Sequence, residues 1–179
     1  FTGEISGVML AKLGCTFVIV GHSERREYHG EDDQMVNLKT QAALRNNLIP
    51  IVCVGEGLEV RKAGDHVVFT LGQLDAALAG IASSDVANLV VAYEPVWAIG
   101  TGEVATPADA QEVCGAIRAR IREVHGSAAG QTRILYGGSM KAENVAALML
   151  EADIDGGLVG GASIDPDEFV SVCRYRLHP

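Results

Sequence analysis

Residues 90–102 read VVAYEPVWAIGTG. Val90, Val91, Ala92 and Tyr93 make a short apolar run of the kind that forms a buried strand, so Glu94 is delivered at the strand's C-terminal end. Pro95 cannot donate to a ladder and stops the strand there. Val96, Trp97, Ala98 and Ile99 follow as an apolar segment with a stiff start, Pro95, and a flexible finish, Gly100-Thr101-Gly102. A segment of this composition is built like a hinged lid: closed, it lays hydrophobic side chains over the carboxylate and expels water.

Outward from this stretch the same unit recurs. Residues 17–20 (FVIV) predict a buried strand that runs into His22-Ser23-Glu24, and residues 49–54 predict a second strand ending in Gly55-Glu56. After the strand at 90–93, residues 134–136 lead into Gly137-Gly138-Ser139, and Leu158-Val159 lead into Gly160-Gly161. Helices are expected over 5–13 and over 31–46, the first with Ile5, Val8, Met9 and Leu13 on one face and the second with Met35, Leu38, Ala42 and Leu44 inward. Further helices are expected over 58–63, 65–78, 106–125, 142–150 and 165–176. Thr106-Pro107-Ala108-Asp109 supplies an N-cap, a proline at the first position and an acid in the first turn, and Asp165-Pro166-Asp167-Glu168 repeats the device. Strand and helix thus alternate five times, which predicts a parallel α/β sheet in one domain spanning residues 1–179. The polar and glycine residues all fall at strand C-termini, as in both doubly wound sheets and barrels. No G-x-G-x-x-G follows the first strand, and two successive glycine turns lead into helices, so a (β/α)8 barrel is favoured.

Composition narrows the function. A formal net charge of −9 argues against nucleic acid as the partner, and no apolar run is long enough to span a membrane. Cys15, Cys53, Cys114 and Cys173 form no CxxC pair and sit in apolar surroundings. They read as reduced core residues of a cytoplasmic protein, with disulfides the alternative. The histidines lack ligand spacing, so neither a metal nor a cofactor is expected. Cys53 reads as packing, and Glu56 as a structural carboxylate paired with a base such as Arg26.

Five motifs, VIVGHSERR, IVCVGE, AYEPVWAIGTG, LYGGS and DGGLVGGAS, lie in this order along essentially the whole chain, and together they resemble the triosephosphate isomerase family. The resemblance implies interconversion of dihydroxyacetone phosphate and D-glyceraldehyde 3-phosphate through an enediolate, a step of glycolysis and gluconeogenesis. It makes Glu94 the base and His22 a neutral electrophile, with Ser23 and Glu24 supporting them and Leu158 pressing on the base. Backbone N–H groups at Gly100, Ser139, Gly160 and Gly161 would hold the phosphate, and Pro95, Val96, Trp97, Ala98, Ile99, Thr101 and Gly102 would form the lid. It also implies a cytoplasmic homodimer that docks through residues 1–4, Phe1-Thr2-Gly3-Glu4. Met140 stands where a smaller apolar residue is expected.

The family's opening Asn and Lys have no counterpart here, and a complete barrel has eight units. The expectation is therefore an incomplete barrel, with its first three βα units absent from these residues and no activity when alone. Two other readings remain at this stage. One is a non-catalytic half-barrel serving as an oligomerisation or binding module. The other is a barrel enzyme like indole-glycerol-phosphate synthase, whose larger ligand the short Gly-Thr-Gly lid would not admit.

Overall fold

The computed structural model describes residues 2–99 and 103–177. Its elements in chain order are α1 (Gly7–Lys12), β1 (Phe17–Val20), α2 (Ser23–His29), α3 (Asp33–Arg45), β2 (Ile49–Val54), α4 (Leu58–Ala63), α5 (His66–Leu78), α6 (Ser83–Val86) and β3 (Val90–Tyr93). They continue with α7 (Pro107–His125), β4 (Arg133–Tyr136), α8 (Val145–Leu148), β5 (Gly156–Gly157) and α9 (Pro166–Cys173). All four strand pairings are parallel, and the strands lie side by side in sequence order, β1-β2-β3-β4-β5. A doubly wound sheet reverses its order at a switch point. This sheet never does, so these are consecutive units of the (β/α)8 arrangement.

β3 is the spine of the sheet. Each of its four residues is buried, because neighbouring strands flank it and side chains cover both faces. The main apolar cluster joins Val52, Val54, Val91 and Tyr93 of the strands to Leu74 and Ala77 of α5 and to Val113 and Ile117 of α7. Burying such side chains contributes roughly 1.5–3 kcal/mol each. α7 starts as its sequence predicts: the Thr106 hydroxyl accepts the Asp109 N–H, and the Asp109 carboxylate accepts the Thr106 N–H in return.

Several expectations fail, each for a physical reason. β1 is an edge strand, so Phe17 and Ile19 are 45% and 48% exposed and only Val20 is buried. Val8 and Met9 of α1 are exposed, as are Ile5 and Leu13 at its two ends, while Leu10 is half-buried and Gly7 packs on Asn46. On α3 the buried residues are Val36, Thr40 and Ala43, with Met35 and Leu38 exposed. The inward Thr40 satisfies its hydroxyl on the Val36 carbonyl at 2.8 Å, which hides the true face from a hydrophobicity pattern. The last strand pairs at Gly156–Gly157 rather than at Leu158-Val159. Two glycines read as a turn, but here their missing side chains make room for Leu135 and Met140.

The expected helix over 142–150 shrinks to α8, because residues 141–144 form a capping turn in which Asn144 Oδ1 accepts the Lys141 N–H. α2 and α6 were not expected at all. Cys53 and Cys114 are core residues, whereas Cys15 and Cys173 are exposed, and all four thiols are free. Among the described residues no helix is long and apolar enough to cross a membrane.

Candidate active site

Sheet register brings the candidate residues to one rim. Glu94 follows β3 directly and donates its N–H to the Val54 carbonyl at 2.8 Å, while its side chain is buried. Its carboxylate reaches over β2 to the end of β1. Oε1 lies 3.0 Å from His22 Nε2, and Oε2 accepts the Ser23 N–H at 3.1 Å. His22 is the N-cap of α2, and its Nδ1 accepts the Glu24 N–H at 3.3 Å. With Nδ1 an acceptor, the neutral ring carries its proton on Nε2, aimed at Glu94. Glu24 supports His22 through its backbone, and its own side chain is exposed at the cavity rim.

Two glycines bracket Glu94. Val54 faces Tyr93 and Tyr93 faces Tyr136 in register, so Gly55 and Gly137 stand on either side of Glu94. A Cβ on Gly55 would overlap the Glu94 carbonyl group, and one on Gly137 would lie 3.0 Å from Glu94 Cγ. Burial raises the Glu94 pKa, outweighing the neighbouring His22 imidazole, the Ser23 N–H and the Cys53 thiol, which all favour the ionised form. The same contact works on Cys53, where burial and then the neighbouring Glu94 charge push the thiol well above its usual range. Such a thiol is no nucleophile.

A cavity of about 1020 Å³ opens above this pair. Its walls include His22, Glu94, Ile99, Ser139, Leu158, Gly160 and Gly161, so the expected catalytic and anion-binding positions share one space. Gly160 and Gly161 have no atom within 4 Å of where a Cβ would be, which leaves their backbone approachable from the cavity. Leu158 is fixed by its N–H on the Tyr136 carbonyl. A second cavity of about 370 Å³ lies on another side of Glu94, among Ser23, Arg26, Phe69 and Val96.

Pro95 and Ala98 are buried, and Val96 to Ala98 form a short 3-10 turn. Ser139 Oγ donates to the Ala98 carbonyl at 2.9 Å, joining the glycine turn to this segment. Gly100, Thr101 and Gly102 lie outside the described residues. Glu56 is fully buried and does not pair with Arg26, whose guanidinium binds Asp33 instead. It accepts hydrogen bonds from Trp97 Nε1 (2.8 Å), Tyr93 Oη (3.1 Å) and Thr70 Oγ1 (3.4 Å).

A family model described as triosephosphate isomerase matches residues 1–176. The chain belongs to the triosephosphate isomerase family. It is 59% identical over 177 residues to the triosephosphate isomerase of Streptomyces avermitilis, a match covering 98% of this chain and 69% of that protein. It is 60% identical over 173 residues to those of Nocardia farcinica and Corynebacterium diphtheriae, each match covering 96% of this chain and 66% of the relative. The chain thus spans about two thirds of the length of the curated relatives it matches.

Some members of the site were not read from the sequence. Asn144 Nδ2 donates to the Ser139 carbonyl at 2.9 Å, and Glu168 Oε1 accepts the Ala142 N–H at 2.8 Å, so the two side chains hold the Ser139 turn. Glu168 was read as the third-residue acid of a capping box, yet its side chain leaves the helix and Asp165 caps α9 alone. An acid at such a position facing a glycine-rich turn was the available signal.

Proposed function

We propose that the intact protein interconverts dihydroxyacetone phosphate and D-glyceraldehyde 3-phosphate, with Glu94 as the base and His22 as the electrophile. The observation that carries this reading is the 3.0 Å approach of His22 Nε2 to Glu94 Oε1 on the wall of a cavity shared with Ser139, Gly160 and Gly161. Glu94 takes a proton from the carbon beside the carbonyl, and the electron pair moves onto the carbonyl oxygen. His22 Nε2–H stabilises that oxygen as it gains charge. The proton of the neighbouring hydroxyl then passes to that oxygen, Glu94 delivers its own proton to the carbon that had carried the carbonyl, and the other oxygen becomes the new carbonyl, so atoms and charges balance with no net redox change. Both carboxylate oxygens hold donors in the absence of ligand, so substrate entry must transfer the His22 donor from Glu94 to the carbonyl oxygen.

A base that is buried and raised in pKa sits closer to working pH than an ordinary carboxylate, which suits proton transfer in both directions. Backbone N–H groups of Ser139, Gly160 and Gly161 hold the phosphate; Gly100, the fourth expected donor, is outside the described residues. Leu158 presses on the base, Ser23 and Glu24 hold the carboxylate and the imidazole through their N–H groups, and residues 96–99 act as the lid. A homodimer formed through residues 1–4 fits the exposed Ile5, Val8 and Met9 beside them; Phe1 is outside the described residues. Four free thiols suit a cytoplasmic location.

The test is Glu94→Asp in the intact protein, assayed for triose phosphate isomerisation. Drawing the carboxylate back by one methylene lowers kcat by about 10²-fold or more; a wild-type rate removes Glu94 from the role of base. The 179-residue polypeptide by itself is expected to be inactive, for want of the cation that the family places beside the phosphate.

A further inference from the structure

Gly157 is not a glycine for the sake of its backbone. It is the second residue of β5, paired with Tyr136 of β4, and its φ lies outside the left-handed region. A glycine inside a strand weakens it, so the missing side chain has another cause. A Cβ at this position would overlap Met140 Sδ and lie 2.6 Å from Met140 Cε, whereas the next atom, the Tyr136 carbonyl oxygen, is at an ordinary 3.7 Å. The thioether of Met140 therefore occupies the space that a side chain at position 157 would need.

Met140 is 5% exposed and belongs to the main apolar cluster, yet it also lines the cavity above Glu94 beside Ser139, Leu158 and Gly160. Its main chain is tied on several sides. Ser139 Oγ donates to the Ala98 carbonyl, Asn144 Nδ2 to the Ser139 carbonyl, and the Ala142 N–H to Glu168. The side chain, long and unbranched, is the softer part. Protein interiors are close-packed, so a displaced thioether moves toward open space. The open space that Met140 borders is the cavity.

We propose that the notch at Gly157 stores the Met140 thioether against β5 and so keeps it out of the space where the anion of the ligand binds. Gly157 is thus a positioning residue for Met140 and, through it, sets the size of that space. The storage stands on the packing itself; its consequence for the anion rests on the isomerase reading. The two residues form a matched pair, large against small, and enlarging the small one is harmful only while the large one is present.

The experiment measures by calorimetry how phosphoglycolate, a mimic of the enediolate, binds to the intact protein as wild type, Gly157→Ala, Met140→Val and the double variant. With Met140 in place, Gly157→Ala should weaken binding by roughly tenfold, as when one methyl overpacks a close-packed site. In the Met140→Val background the same alanine should change the affinity by less than about twofold, because no thioether is left to displace. A clash that matters only for folding would lower Tm and leave the affinity alone. An equal loss of affinity in both backgrounds, or no loss in either, overturns the proposal. Should Gly157→Ala fail to fold, the wild-type protein with methyl-labelled methionine decides. The Met140 methyl, assigned as the signal lost in Met140→Val, should show nuclear Overhauser contacts to the Gly157 α-protons with and without phosphoglycolate; their absence from either state overturns the storage. If phosphoglycolate fails to bind the wild-type protein, the isomerase reading fails, while the same contacts in the free protein still decide the storage.

Discussion

At the scale of single residues, the buried carboxylate of Glu94 has a consequence for stability. Desolvation holds its pKa above the ordinary glutamate range despite the opposing pull of His22, the Ser23 N–H and Cys53. An acid whose pKa is higher folded than unfolded binds its proton more tightly in the native state. Its contribution is complete below the unfolded pKa and declines as pH climbs through the window up to the native value. Glu94→Gln has no such decline. The Tm difference between Glu94→Gln and wild type should therefore move in favour of the variant as pH rises from about 4 to about 8, read by thermal unfolding at several pH values. Parallel Tm curves would mean that the carboxylate titrates alike in both states. The meeting of His22 and Glu94 was legible in the sequence because each directly follows a strand or its first glycine, inside motifs of unusual composition. The hydrogen-bond donors to Glu56 were not legible: the sequence suggests an ion pair with a base such as Arg26, but three neutral donors, Thr70, Tyr93 and Trp97, meet at that carboxylate in space.

At the scale of elements, register sets the tolerance of the site. β2 and β4 place Gly55 and Gly137 against Glu94, and neither contact can be seen without knowing which strand residues face one another. Gly55→Ala forces a methyl into the Glu94 carbonyl group, and the strand end must shift. Overpacking of this kind costs about 1–3 kcal/mol. In the intact protein a urea titration should show the lower midpoint, accompanied by a fall in isomerase activity as the Glu94 side chain is displaced; unchanged midpoint and activity would mean that the strand end yields freely. The ends of β1, β2 and β3, the long α7 and its capping box were legible because short-range chemistry dictates them. The inward faces of α1 and α3 were not, since what covers a helix decides which side is buried. A pattern of apolar residues fixes a face only when a partner is there to take it.

At the scale of the whole molecule, two tendencies oppose each other. β1 is an edge strand whose Phe17 and Ile19 are about half exposed, and α1 beside it exposes Ile5, Val8, Met9 and Leu13. Unpaired strand edges of this kind recruit other chains, whereas a net charge of −9 keeps copies apart. Salt weakens the repulsion over a Debye length of about 10 Å at 0.1 M and leaves the apolar attraction intact. The 179-residue polypeptide expressed alone should therefore self-associate more strongly as salt is raised, which sedimentation velocity measures; a monomer at every salt concentration would contradict this. Glu94 also borders two separate hollows, one of about 1020 Å³ and one of about 370 Å³. One residue thus belongs to the walls of both, and replacing it redraws both spaces at once.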